Sequence, residues 1–239
     1  MRSIAFVPKG GEARSAASKG VRTKRTLTSD VFQRMRTDIL HCTLRPNSRL
    51  LFRDLRETYT SGMSPLREAL MRLASDGLVV LEDHKGFRVA PVSREELVDI
   101  AKTRCELEGL ALKMAIADGD DRWESNILAR FHELSKRPTY VEGTLDYEWE
   151  QRHDAFHRSL YAACGLRWLM SFCETLSDRA FRYRHLLLEF VDRTRDHRSE
   201  HEAIQRAAID RQADVAVAKL KDHYMRTVQT LLDNWTELS

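Results

Sequence analysis

The stretch SPLREALMRLASDGLVVLEDHKGFRVAPV, residues 64–92, changes its hydrophobic period halfway and so decides the fold of the first part of the chain. Leu66, Ala69, Leu70 and Leu73 recur at helical spacing, with Ser64 as the expected cap, Pro65 at the first helical position and Gly77 at the stop. The opposite face carries Ser64, Arg67, Glu68 and Arg72. Past Gly77 two short β-rich runs flank EDHKG, a hairpin by composition. Upstream, LLFRDLRETYTSGM reads as a further helix and a tight turn. Before it, SDVFQRMRTDILHCTL sets Val31, Met35, Ile39 and Leu40 on one stripe behind a Ser29 or Asp30 cap, and the turn RPNSRL ends it. Three short helices followed by a hairpin make a winged helix-turn-helix, in which the second helix of the pair enters the major groove of DNA.

The charge distribution agrees with that reading. The 239 residues carry a net +3, but residues 1–92 hold 17 Lys/Arg against 9 Asp/Glu and the remainder 22 against 27. A basic part joined to an acidic one predicts that only the first meets a polyanion. Residues 1–25, with seven basic residues and one acidic, read as a disordered basic arm, serving either solubility or DNA contact. A lone arginine on an exposed helix is ordinarily just solvated. Here it is joined by a basic hairpin tip at Lys85 and Gly86 on a positive domain. No apolar run approaches the roughly 18–20 residues of a membrane span, and Ile4–Val7 is too short for a signal-peptide core, so a cytosolic protein is expected. Cys42, Cys105, Cys164 and Cys173 lack C-x-x-C spacing, which suits reduced thiols rather than a disulfide frame or zinc ribbon.

From Ser93 onward the pattern predicts helices over 93–118, 121–136, 144–164, 167–190, 195–211 and 213–237, with no convincing strand alternation. The fold class is therefore mainly α: a basic arm over 1–25, a winged helix-turn-helix over 26–92 and an all-helical domain over 93–239 that packs as a bundle around a cavity. Arg104 interrupts the stripe Leu97, Ile100, Leu107, Ala111, and Glu108 one turn on is its natural partner. The pair either orients the helix or shares the arginine with a carboxylate ligand. His153 and His157 fall on one buried stripe, His201 on a second helix and His223 on a third. A single such histidine is usually a satisfied core residue. Their coincidence on three helices makes a divalent transition metal such as zinc or nickel plausible. His41, His84, His132 and His185 have no such placement. A metalloenzyme reading lacks H-E-x-x-H, a Gly-rich phosphate loop and G-x-S-x-G, and a third reading is an architectural DNA-binding protein without an effector.

These residues carry a resemblance. LRPNSRL, FRDL and LREALMRLASDGLVVLEDHKGFRVAPVS resemble the DNA-binding domain of the GntR family of bacterial transcription regulators. By position, the resemblance puts DNA contacts on Arg53, Ser64, Arg67 and Gly86; Met63 stands where many members have arginine. TRCELEGLALKMA, HDAFHRSLYAACG and EHEAIQRAAIDRQADVAVAKLKDHY resemble the effector-binding FCD domain of the FadR branch. The RHxAFH variant is similar to a sub-branch that includes a carbon-starvation-induced repressor of small-acid catabolism. The resemblance implies a homodimer that binds an operator and a small carboxylate effector. It implies metal ligands at His157, His201 and His223; with the Arg104 and Glu108 pair read from the helix stripe, His153 completes the expected effector site. The family's fourth ligand, an aspartate, is His153 here, and Asp154 comes one residue late, turned about 100° away on the helix. That leaves two outcomes: a four-histidine site, or a pocket without metal. Leu166 replaces the asparagine that many members carry after the glycine.

Overall fold

The structure, a computed structural model, describes residues 27–141, 144–186 and 195–235. The expected arm over 1–25 lies outside the described residues. The winged unit is built from α1 (Leu27–Leu40), β1 (Arg49–Leu50), α2 (Phe52–Tyr59), α3 (Met63–Ser75), β2 (Val79–Glu82) and β3 (Gly86–Val89). Val31, Met35, Ile39, Leu66, Leu70, Leu73, Val79 and Val89 close one apolar core beneath the sheet, whose order is β1-β3-β2.

Three local expectations need correction. Helix α1 begins at Leu27, so Ser29 and Asp30 lie inside its first turn and do not cap it. Helix α3 begins at Met63 with Gly62 as N-cap, so Ser64 and Pro65 are its second and third residues. Proline is harmless there because first-turn amides have no partner within the helix. RPNSRL is not only a turn: Arg49 and Leu50 pair antiparallel with Arg88 and Phe87. Gly77 does stop α3, at φ +70, with Leu78 N bonded to Leu73 O and Gly77 N to Ala74 O. That double closure favours a residue free to adopt the left-handed region.

The remainder is α4 (Arg94–Asp118), α5 (Asp121–Ser135), a small antiparallel hairpin of β4 (Tyr140–Val141) and β5 (Thr144–Leu145), α6 (Tyr147–Leu160), α7 (Arg167–Leu186), α8 (His197–Ile209) and α9 (Ala213–Asp233). The hairpin corrects the expected helix over 144–164, which starts only at Tyr147, where Asp146 caps Glu148 N. Side-chain caps also start α4 at Ser93, α5 at Asp120 and α8 at Asp196. Phe156, Leu160, Ile127, Leu112, Ile204 and Leu220 form the core of the bundle. Among the described residues no helix is long and apolar enough to cross a membrane, and all four cysteines are free.

Helix α7 joins the two parts. Arg36 of α1 pairs with Asp178, and His41 packs its ring on Phe181 and His185. Arg179 donates to Asp76 O at 2.9 Å and pairs with Glu96 at 3.3 Å. The connecting segment is pinned to the same helix, because Arg182 donates to Ala90 O and Ser93 N donates to the Tyr183 hydroxyl at 3.1 Å.

Candidate DNA face and metal and effector site

The winged unit displays its four expected DNA contacts in different ways. Arg67 is exposed on α3, its guanidinium 5.6 Å from the centre of the Phe52 ring, and Phe52 in turn meets Phe87 of the wing edge-on at 6.1 Å. Phe52 thus ties α2, α3 and the wing together, a role its sequence position alone does not announce. Arg53 is 86% exposed along its side chain and only loosely held by Asp54 at 3.0 Å. Ser64 stands exposed in the first turn of α3, beside exposed Met63. Gly86 opens the second strand of the wing at φ +85, and a Cβ there would meet nothing within 4 Å. Its need for glycine is conformational, and the open space leaves the backbone free to approach a groove. Arg67→Ala is expected to weaken specific operator binding by about 1–3 kcal/mol per half-site without changing the fold. Unchanged affinity in gel-shift titrations at fixed salt would take Arg67 out of the interface.

In the helical part, α6 brings His153 and His157 to within 3.1 Å of each other, Nε2 to Nε2. Helices α8 and α9 add His201 and His223, so that ligand-bearing atoms of all four buried histidines lie within 4.8 Å of one another. Neighbouring nitrogens on one tetrahedral zinc ion stand about 3.3–3.4 Å apart, so the widest spacing would have to close by roughly 1.4 Å on binding. The surroundings favour Nε2 as the inward atom. His223 Nδ1 donates to Glu200 Oε2 at 2.7 Å, and His157 Nδ1 donates to the Tyr224 hydroxyl at 3.2 Å, while that hydroxyl donates to Glu108. His201 Nε2 is buried without a partner, as is His153 Nδ1. Converging imidazoles with outer hydrogen bonds and an orphaned inward nitrogen fit a divalent metal, which would act as a Lewis acid for an anionic ligand.

Electrostatics keep these imidazoles neutral, the form in which they ligate. Burial, and then the neighbouring imidazoles, hold His153, His157 and His201 well below the ordinary histidine value. Burial lowers His223 to about 4, against the pull of Glu200. Burial opposes ionisation of Glu200, but hydrogen bonds from His223 and Arg195 outweigh it and hold the carboxyl well below the usual range. Asp154 points away from the cluster, accepting from Ser177 at 3.3 Å and pairing with Arg158 at 2.7 Å.

A cavity of about 60 Å³ abuts the cluster at His153 and His223. Arg104, Arg184 and Arg195 line it together with the apolar Leu97, Ile100, Val228 and Leu231. Each arginine already has a carboxylate: Arg104 with Glu108 at 2.7 Å, Arg184 with Glu150 at 3.2 Å, Arg195 with Glu200. Of the expected effector residues, Arg104 and His153 therefore reach the cavity. Glu108 is fully buried behind the wall, where it holds Arg104 and Tyr224. Trp149, Arg184, Arg195 and Tyr224 also line the cavity and are not singled out by the sequence, whereas His197, which lines it too, shares the helical stripe of His201, Ile204 and Ala208. For Tyr224 adjacency to His223 is a usable signal; Arg195 falls at the expected start of a helix, where no periodicity marks it.

Comparisons with known proteins agree with this architecture. Residues 27–89 match the model of bacterial regulatory proteins of the gntR family, and residues 99–226 match the FCD domain. The chain is 35% identical over 210 residues to the HTH-type transcriptional repressor GlaR of Escherichia coli K12, spanning 85% of this chain and 95% of that protein. It is 32% identical to the uncharacterized HTH-type regulator BphR of Paraburkholderia xenovorans LB400, over 87% and 86% of the two chains. The solved structure of E. coli McbR/YncC superposes with a TM-score of 0.74 at 22% identity, covering 88% of this chain and 99% of that one, and so shares the fold. These relatives are regulators rather than enzymes, and regulators of this family bind DNA operators. A gntR-type winged helix joined to an FCD domain places the chain in the GntR family, as a DNA-binding transcriptional regulator.

Proposed function

We propose that the protein is an effector-responsive repressor whose helical domain binds a small organic acid beside a divalent metal held by His153, His157, His201 and His223. The observation that carries this reading is the cavity itself, lined by a convergent histidine cluster and three arginines, Arg104 buried and Arg184 and Arg195 half-buried. Its volume suits an acid of only a few non-hydrogen atoms. Four neutral ligands leave the ion its full +2 charge, which favours an anion more than a ligand set containing aspartate would. The repressor direction is taken from the relative GlaR.

Helix α7 is the proposed route from pocket to DNA. Ala180 and Arg184 face the cavity, Ser177 stands 3.5 Å from Arg104, and Asp178, Arg179 and Arg182 on the other side grip the winged unit and the connecting segment. A ligand that moves α7 thereby favours one placement of the DNA-binding unit over another, which is what a change in operator affinity requires. A homodimer is part of the reading. Leu166, Trp168 and Phe172 are 48%, 69% and 57% exposed at the start of α7, an apolar patch that suits a second copy; sedimentation of the purified protein checks it.

The experiment is a thermal-shift screen of short mono- and dicarboxylates with and without chelator, followed by gel shifts. A binding acid raises the midpoint and changes operator affinity, and chelator abolishes both effects. If no acid moves the midpoint or the gel shift, the helical domain is not a sensor of this class.

A further inference from the structure

One wall residue of the cavity is used by neither the metal cluster nor the arginine network. His197 opens α8, and both of its ring nitrogens are buried without a hydrogen-bond partner. It lines the same cavity as His153 and His223. It does not belong to the converging group, whose four members are His153, His157, His201 and His223. Trp149 touches both, stacking on His153 at 4.8 Å and meeting His197 edge-on at 5.9 Å. The arginines of the wall each have a carboxylate partner, whereas His197 has none.

A buried polar group left unpaired costs free energy in the folded protein, so such groups ordinarily find a partner. His197 faces a space where one can arrive. Burial, and next the charge of Arg195, lower its pKa to about 4, so at neutral pH it offers one N–H donor and one lone pair. A carboxylate drawn to the metal at His153 and His223 would leave the rest of the acid within the cavity that His197 lines.

We propose that His197 is a specificity-determining residue of the effector pocket, hydrogen-bonding to a second oxygen function of the acid. The pocket thereby selects hydroxy-, oxo- or dicarboxylates over plain monocarboxylates of the same length. This rests on the effector-pocket reading above. A site built to bond an oxygen rejects the analogue that lacks it, because the site's own polar group then stays unpaired.

The test uses the full-length, metal-loaded protein and calorimetry with propanoate, 3-hydroxypropanoate and propanedioate and with their four-carbon counterparts. The wild type is expected to bind the better oxygenated acid of a set at least about tenfold tighter than the plain one. His197→Phe, which keeps a ring against Trp149, removes that preference while leaving plain-acid affinity and metal content unchanged, and His197→Gln restores part of it. His197→Leu repeats the test if the Phe variant does not fold. A preference that survives in His197→Phe, or a loss shared equally by plain and oxygenated acids, overturns the role of His197. Acid binding by the wild type without any preference also overturns it and leaves the effector pocket standing. Absence of acid binding in the wild type overturns the pocket reading and this role with it.

Discussion

Arg104→Met is expected to lower the free energy of unfolding by about 3–5 kcal/mol, a loss as large as truncating a core aromatic. Glu108 is 0% exposed and is satisfied by Arg104 Nε at 2.7 Å and by the Tyr224 hydroxyl. The guanidinium also lies 4.2 Å from the centre of the Tyr224 ring and reaches Ser177 at 3.5 Å. Removing it strands a carboxylate in the interior with one neutral donor, and an uncompensated buried charge is far costlier than the pair is stabilising. Burial works against the charge on Arg104, yet Glu108 and then Tyr224 outweigh it and raise its pKa, so the guanidinium keeps its charge in the interior. The companion variant Arg104→Met/Glu108→Leu is expected to recover most of the loss, because two apolar side chains of similar volume need no partner. What it does not recover is the Tyr224 hydroxyl, left without its acceptor at about 1–3 kcal/mol. Urea titration of both variants checks this. A single-variant loss below about 1 kcal/mol, or a double variant no better than the single, would mean that the pair does not hold α4 against α7 and α9.

The winged unit was legible in the sequence because its signals are local. The stripe Leu66, Ala69, Leu70, Leu73, the stop at Gly77 and the β-rich runs after it each act within a few residues, and the structure differs there in where helix ends fall and in the strand Arg49–Leu50. The two-residue strands are too short to show any period, so Arg49–Leu50 reads as turn, Tyr140–Val141 falls between two expected helices and Thr144–Leu145 falls inside the start of one. The histidines illustrate a different limit. Helical spacing puts each imidazole on a buried stripe, but whether their nitrogens converge depends on how α6, α8 and α9 cross, which no single stripe encodes. The same holds for α7. Arg36 and Asp178 are separated by 142 positions, and nothing in either neighbourhood announces that they meet. The connecting segment at Ala90–Ser93 joins the two parts in sequence, and in the fold it is held by Arg182 and Tyr183.

The metal reading leads to the second large effect. Wild-type protein is expected to take up one zinc or nickel ion per chain, and His157→Ala, His201→Ala or His223→Ala should each lower that affinity at least about a hundredfold, since each removes one of four ligands. Glu200→Gln is the sharper test of geometry. Its carboxylate fixes the tautomer and orientation of His223 through the 2.7 Å bond to Nδ1, without touching the ion, so the expected loss is smaller, about ten- to a hundredfold. His153 distinguishes this chain from the aspartate-bearing pattern it resembles. Its Nδ1 has no partner and its ring is held by stacking on Trp149, so His153→Asp should retain metal while reducing the positive charge facing the cavity, weakening anion binding but not metal binding. Calorimetric metal titration of the apo-protein and elemental analysis of the loaded protein measure all five variants on one scale. If the wild type takes up no stoichiometric metal, and acids bind equally with and without chelator, the cluster is a packed group of neutral imidazoles. The anion would then have to be met by the arginines of the wall, where Arg104, Arg184 and Arg195 would share charges now given to Glu108, Glu150 and Glu200.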